Sequence, residues 1–454
     1  MTERRGRRPT RNDAAADQPR LVAYDLLRAV SGEGAYANLV LPGLITDGGL
    51  GQRDAALATE LGYGTLRASG TIDEILTACL DRPLASVDAP VRDLLRLGAY
   101  QALRTRIPAH AAVATSVDLA RATGNGRASG FINAVLRRVV TASWDDWTDR
   151  LGADRCALGR LALRTAHPEW IAVAFADALG GDLAETELAL AADDVRPQTH
   201  LVGWPGRIGR DELLAVSGGE PGPYSPYAVR LSAGDPGGLA AVRDHRAGVQ
   251  DEGSQLCALA LAHAPLTGRD ERWLDLCAGP GGKAALLAAV AAQRGATVRA
   301  NELHPHRAEL VRQATAAWNV EVSVGDARSM PGIEGGYDRV LVDAPCTGLG
   351  ALRRRPEARW RRTPDDVAPL AALQGELLAA ALRLVRPGGV VAYVACSPHL
   401  AETRDVVAGR ELIDARAGFE GVDTLGGGPT VQLWPHRQGT DAMFCALLHG
   451  GERA

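Results

Sequence analysis

Two apolar runs in this sequence end in residues able to do covalent chemistry. VLVDAPCTGLG, residues 340–350, carries Asp343 and Cys346 after its run, and VVAYVACSP, residues 390–398, closes on Cys396 and Pro398. A thiolate is a strong nucleophile, whereas a thiol must first have its pKa lowered. Ser397 and Pro398 read as a helix start after Cys396, and a helix N-terminus stabilises a thiolate. Burial is expected to keep Asp343 protonated, so that it acts as a hydrogen-bond donor.

A third stretch, LDLCAGPGGKAAL, residues 274–286, reads as strand, glycine turn and helix. Gly279, Gly281 and Gly282 let a ligand come close to the backbone. A nucleoside-triphosphate loop would need a glycine where Cys277 stands and a serine or threonine where Ala284 stands. A dinucleotide fingerprint would need its last glycine at Ala284. A nucleoside with a short, charged, phosphate-free tail is the third candidate, and S-adenosylmethionine has that chemistry. Glu302, ending ATVRANE, can accept from both ribose hydroxyls, and Asp326, in VGDAR, can meet an adenine amino group. Each acid taken alone could be a mere cap or turn former. Nicotinamide enzymes use a similar acid, so a dehydrogenase stays open as a rival.

A thiolate, an acid and a methyl sulfonium together suit cytosine. Carbon 5 of that ring is a poor nucleophile until a thiolate adds at carbon 6 and makes it enamine-like. A donor at ring nitrogen 3, the role given to Asp343, neutralises the developing charge. A second thiol can assist loss of the carbon 5 proton and release of the enzyme. Cys346 and Cys396 stand at strand ends, where open α/β sheets bind ligands. Cys79, Cys156, Cys257 and Cys445 are expected as small buried residues, and Cys277 to matter through its backbone.

The elements that must position these groups follow from composition and pattern. A chain of 454 residues, 46% hydrophobic and 23% charged, with formal net charge −4, belongs to two or three folded domains. No apolar run reads as long and charge-free enough to cross a bilayer, and the Arg-rich start is no secretory leader. The seven cysteines are widely spaced and form no zinc pattern. These features lead us to expect a cytoplasmic monomer with reduced thiols, no metal and no membrane. Residues 1–18 read as a disordered tail whose Arg4, Arg5, Arg7, Arg8 and Arg11 either lie along phosphates or are simply solvated. Of the 50 lysines and arginines one is lysine, Lys283, inside the glycine turn, where a compact ammonium fits better than a planar guanidinium.

Residues 19–142 carry apolar residues at helical spacing throughout and predict an all-α domain. Residues 143–245 read as a small α/β connector with short strands at THLVGW and YAVRLS. Residues 246–454 alternate strand and helix, which predicts an α/β, Rossmann-like domain with a mostly parallel, doubly wound sheet; TVQLWP and AMFCALL read as an antiparallel hairpin added at its edge.

LDLCAGPGGK, DAPCTGLGALRRRPEARW and ACSPHLAE resemble the RNA 5-methylcytosine methyltransferases that use two cysteines. The helical domain, notably FINAVLRR, resembles the RNA-binding fold of the antitermination factor NusB. With VQDEGSQL leading into the last domain, the combination resembles the RsmB/Sun/Fmu family of ribosomal RNA methyltransferases. The resemblance implies Cys396 as nucleophile, Cys346 in product release, and Asp343 touching cytosine near the methyl donor. It implies that Cys277, Ala278, Gly279, Pro280, Gly281, Gly282, Lys283, Glu302 and Asp326 hold S-adenosylmethionine. Ala395 stands where the family usually has threonine, Gly279 where alanine is frequent, and Glu402 where a glutamate pair is common.

RNA is the expected partner. Arg353, Arg354, Arg355, Arg359, Arg361 and Arg362 form a cluster beside Cys346 that can pair with phosphates. Trp360 either stacks on a base or packs, and His436 either faces the site or is a satisfied structural histidine. A splayed cytosine is required, because a paired base hides carbon 6. Ribosomal RNA is the first reading of the substrate, transfer RNA the second, and a non-catalytic assembly factor the rival from another class.

Overall fold

A computed structural model describes residues 17–232, 234–329 and 335–451. The arginines of the N-terminal tail lie outside the described residues. The chain divides into two compact units, residues 1–172 with 355–361, and residues 173–354 with 362–454.

The first unit is helical. Its helices include Gln18–Glu33, Gln52–Ala78, Ala89–Arg104, Ala109–Ala122 and Ser129–Val139. Ala89–Arg104 has Pro90 in its first turn, which tolerates a missing N–H, and buries Val91, Leu94, Leu95 and Leu97 on one face. The unit runs beyond the expected limit at 142. Helix Trp144–Leu151 opens with a Ser143/Asp146 capping box. Its two indoles then tie it inward: Trp147 Nε1 donates to the Val139 carbonyl at 2.8 Å and Trp144 Nε1 to the Arg164 carbonyl at 3.0 Å. Residues 143–172 were expected in the connector; the Trp147 indole, the Arg155–Glu74 pair and the Thr71 hydroxyl on the Leu163 carbonyl join them to the earlier helices.

In the second unit, a small antiparallel sheet is built from β1 (Thr199–Gly203), β2 (Glu220–Pro221), β3 (Ala228–Leu231) and β4 (Ala247–Val249), in the order β2-β3-β1-β4. The main sheet holds β5 (Arg272–Asp275), β6 (Thr297–Glu302), β7 (Glu321–Val324), β8 (Tyr337–Asp343), β9 (Val385–Ala395), β10 (Leu412–Ile413), β11 (Val431–Gln432) and β12 (Phe444–His449). Its order is β10-β12-β9-β8-β5-β6-β7, with β11 paired to β12. Strands β5 to β9 pair in parallel and β12 runs antiparallel to β9, as the sequence pattern predicts.

Side chains alternate across this sheet with the two-residue period of a strand. Trp273, Leu341, Val390, Ala392 and Val394 share one core with helices Glu252–His263 and Gly282–Gln293. Leu274, Val340, Val342, Val391 and Tyr393 share the other with helix Val367–Leu384. Both faces are therefore covered, which explains why these strands read as continuous apolar runs. Each fully buried side chain of this kind contributes about 1.5–3 kcal/mol. The segment Pro364–Leu384 is long and apolar enough, by length and composition, to cross a membrane, contrary to the expectation that no run was. Leu377, Leu378, Ala380 and Ala381 pack it against the sheet.

Candidate active site

The parallel register brings the chemistry to one edge. Asp275 pairs with Leu341, Asp343 with Val394, and Ala395 with Phe444, so the carboxyl ends of β5, β8 and β9 are neighbours. Cys346 follows β8 and Cys396 follows β9, and their sulfurs lie 3.3 Å apart. Both cysteines are half-buried. The shared proton, then burial, push the Cys346 thiol far above its ordinary value. Gly350 closes the loop after Cys346: its N–H donates to the Cys396 carbonyl at 2.9 Å, and the Ala442 N–H donates to its carbonyl at 2.8 Å. A Cβ on Gly350 would stand 2.0 Å from the Ala442 oxygen, so only glycine fits.

No α-helix opens directly after Cys396. The chain makes a short 3-10 helix, Leu400–Glu402, so the expected dipole at Cys396 is not formed. Asp343 also differs from the lone buried acid of the sequence reading. Its Oδ2 accepts from Lys283 Nζ at 2.9 Å. Burial opposes the charge on Lys283, but Asp343 together with the sulfurs of Cys257 and Cys396 holds the ammonium above lysine's usual range.

The glycine turn lies between β5 and helix Gly282–Gln293. Gly281 has φ +116°, and a Cβ there would meet Ala314 at 2.6 Å. Cys277 is pushed far up by burial and by Asp275 and Asp343, which leaves an inert thiol. Glu302 is buried at the end of β6, accepting from the amides of Gly279 and His304 at 3.0 Å each. Arg307 Nη2 donates to the Gly279 carbonyl at 2.6 Å, so Glu302 and Arg307 together fix the turn. Asp326 follows β7, where Arg328 grips it bidentately and holds it down at about 2.

Two residues were not singled out by sequence. Asn301 bridges the Leu276 and Gly325 carbonyls at 3.2 and 3.0 Å, pinning the β5 turn to the loop after β7. Asp275 is fully buried and neither carboxylate oxygen has a hydrogen-bond partner of good geometry. Burial first, then Asp343, push it up to about 8, with Lys283 and the Cys277 amide pulling only partly back. The signal was legible: an acid inside the apolar strand RWLDL. Between its ordinary 3.8 and about 8 the folded chain holds a proton that the unfolded chain has released. This group's contribution to stability therefore falls as pH rises through that window. Asp275→Asn is expected to flatten the fall in unfolding free energy between about pH 5 and pH 8 by about 1 kcal/mol or more, followed by thermal melts across pH. A slope equal to that of the unaltered chain would contradict a protonated Asp275.

The 16S rRNA methyltransferase RsmB/F family matches residues 263–449, and the NusB family matches residues 17–141. A protein named probable ribosomal RNA small subunit methyltransferase B, from Bacillus subtilis, is 32% identical over 95% of this chain and 98% of its own. The chain belongs to the RsmB/F family of 16S rRNA methyltransferases. Another family relative, ribosomal RNA small subunit methyltransferase B of Pseudomonas putida, is 34% identical over 86% of this chain and 88% of its own. A putative methyltransferase of Mycobacterium tuberculosis is 55% identical over 95% of this chain and 96% of its own. Two solved structures share the fold of this RsmB/F-family chain. PH0851 covers 96% of it and 99% of its own chain, at 21% identity and a TM-score of 0.77. NSun6 from Pyrococcus horikoshii with SFG covers 63% of it and 99% of its own chain, at 17% identity and a TM-score of 0.54.

The arginine cluster of this RsmB/F-family chain is largely spent on the protein itself. Arg353 and Arg354 are both paired with Asp251 and Asp441, at 2.7 to 3.3 Å. Removing one partner of such a buried network strands a charge and costs about 3–5 kcal/mol. In the helical unit, Arg359 is fully buried and donates to the Ala166 carbonyl at 3.0 Å, and Arg361 donates to the carbonyls of Val30 and Ala35. Trp360 packs: its Nε1 donates to the Arg67 carbonyl at 2.7 Å, and its ring fills the space beside Gly70, where a Cβ would lie 2.1 Å from it. Arg355 is exposed, and Arg362 lies 3.7 Å from Asp366. His436 is structural, with Nε2 2.7 Å from Glu185. Cys79, Cys257 and Cys445 are buried as expected, but Cys156 is exposed and caps helix Ala157–Arg164 by accepting from the Gly159 amide. Among the described residues no group of three His, Cys, Asp or Glu side chains is placed to hold a metal ion.

Proposed function

We propose that this chain transfers a methyl group from S-adenosylmethionine to carbon 5 of a cytosine in 16S ribosomal RNA, through a transient bond between Cys396 and ring carbon 6. The observation that carries this reading is the sulfur pair, 3.3 Å apart at a strand edge that also presents the Lys283–Asp343 pair.

The turn fits the cofactor. A glycine turn that leaves its backbone bare and a buried Asp275 carboxyl whose oxygens lack a well-aligned protein donor suit a ligand whose tail carries an ammonium group. Cys277 through Lys283 would hold that tail, Glu302 the ribose and Asp326 the adenine. When bound, S-adenosylmethionine supplies an electrophilic methyl group.

The neighbouring sulfur and burial push the Cys346 thiol up, which suits it to keep its proton while Cys396, the sulfur at the end of β9, attacks. As its bond to carbon 6 forms, the ring's electron pair moves toward nitrogen 3. The proton shared by Lys283 and Asp343 meets that charge. Carbon 5 accepts the methyl group. Cys396 is now a thioether without charge, so the largest of the influences that held the proton on Cys346 is gone. Cys346 then gives its proton to solvent and, as the thiolate, takes the one on carbon 5; the electron pair left on the ring expels Cys396 as a thiolate, nitrogen 3 returns its proton to the Lys283–Asp343 pair, and the ring recovers its aromaticity. The helical unit and Arg355 are the parts assigned to RNA contact.

The test is incubation of purified protein with unmodified 16S rRNA and S-adenosylmethionine, read by bisulfite sequencing. The expected result is protection of cytosine at a defined site. Methylation of transfer RNA alone, or of another base, would overturn the substrate assignment.

A further inference from the structure

Glu402 sits in the 3-10 helix Leu400–Glu402, just beyond Cys396, with its carboxylate fully buried. One oxygen accepts from the Thr347 amide at 2.7 Å. The other accepts from the hydroxyls of Ser397 at 2.6 Å and Thr347 at 2.5 Å. Gln374 Nε2 adds a longer contact at 3.3 Å and also donates to the Pro345 carbonyl at 2.8 Å. The Tyr393 hydroxyl holds the Glu402 backbone carbonyl at 2.6 Å.

These partners share a position in the sequence. Thr347 directly follows Cys346, and Ser397 directly follows Cys396. A single carboxylate therefore ties together the two loops at the residue next to each sulfur. Among the described residues its donors are neutral amides and hydroxyls, although burying an anion is costly without strong compensation. An amide or apolar residue would fill the space at lower electrostatic cost. What the carboxylate adds is two oxygens able to accept from both loops at once, with short, charge-assisted bonds. Its oxygens face protein donors, so it acts through the loops rather than on a substrate.

We propose that Glu402 is the positioning residue of the sulfur pair: by tying Thr347 to Ser397 it sets the spacing of Cys346 and Cys396. Its consequence for catalysis rests on the covalent reading above, but its effect on spacing does not. The two are separated by cross-linking. Diamide takes both thiol hydrogens as it is reduced to the hydrazine, leaving a sulfur–sulfur bond, and the rate reports how closely the sulfurs are held. Formation of the Cys346–Cys396 disulfide is followed by peptide mass spectrometry in the full chain. Glu402→Ala and the double variant Thr347→Val/Ser397→Ala are expected to slow it by about tenfold or more, with Glu402→Gln intermediate. In methyl transfer the same variants should lower kcat by a similar factor, with KM for S-adenosylmethionine changed by no more than about twofold. If Glu402→Ala does not fold, the double variant, which keeps the carboxylate, carries the test. Cross-linking at the unaltered rate in the folded variants would overturn the proposal. If Cys396→Ser keeps its methyl transfer, the covalent reading falls, and the cross-linking rates still decide the role of Glu402.

Discussion

Replacing Cys396 by serine is expected to lower methyl transfer by at least about 10³-fold while cofactor affinity stays within about twofold. The hydroxyl of serine is far less acidic than a thiol, so it supplies far less of the attacking anion. The neighbouring sulfur does not substitute. Cys346 lies 3.3 Å away, but its thiol is pushed strongly toward the protonated form, and it leaves from the other strand. Initial rates with radiolabelled methyl donor, alongside cofactor titration, measure both quantities. Loss of cofactor binding together with activity would point to a structural role for Cys396. Retained activity would remove it from the chemistry altogether.

Cys346→Ala is expected to produce the opposite phenotype: a chain that starts the reaction and does not finish it. Cys396 can still add to the ring and carbon 5 can still be methylated. The group proposed to take the carbon 5 proton is then missing, and elimination stalls. A covalent RNA–protein species should build up, reaching a large fraction of the enzyme, and appear as a slow band on a denaturing gel. It should require both RNA and S-adenosylmethionine. Absence of this band, with turnover intact, would assign proton removal to another base. Alanine leaves a small gap rather than a stranded polar group, so the loss of stability should be modest, about 1 kcal/mol.

The fold was legible because both signals are strong. Strands buried on two faces must be apolar throughout, and VLVDAP and VVAYVAC are. The order of the acids and the glycine turn along the chain then places them at one edge, because parallel strands all end on the same side. The glycine turn announced itself through Gly279, Gly281 and Gly282, and the fold leaves no room for a side chain at Gly281. How charges are shared was not legible. Arg353 and Arg354 read as phosphate ligands until the fold brings Asp251 and Asp441, far away in sequence, against them. Asp343 read as an isolated acid until Lys283 arrived from another strand end, although that lysine's uniqueness had marked it. The helix expected after Cys396 failed for a similar reason. Ser397 spends its hydroxyl on Glu402 and the His399 amide, in a tight turn that a local start signal does not foresee.

The central claim is tested most directly by digesting the trapped Cys346→Ala complex and sequencing the cross-linked peptide by mass spectrometry. The expected product is one nucleotide, a cytidine carrying an added methyl group, bonded to the sulfur of Cys396. A cross-link at any other residue, or an adduct lacking the cytosine ring, would contradict it.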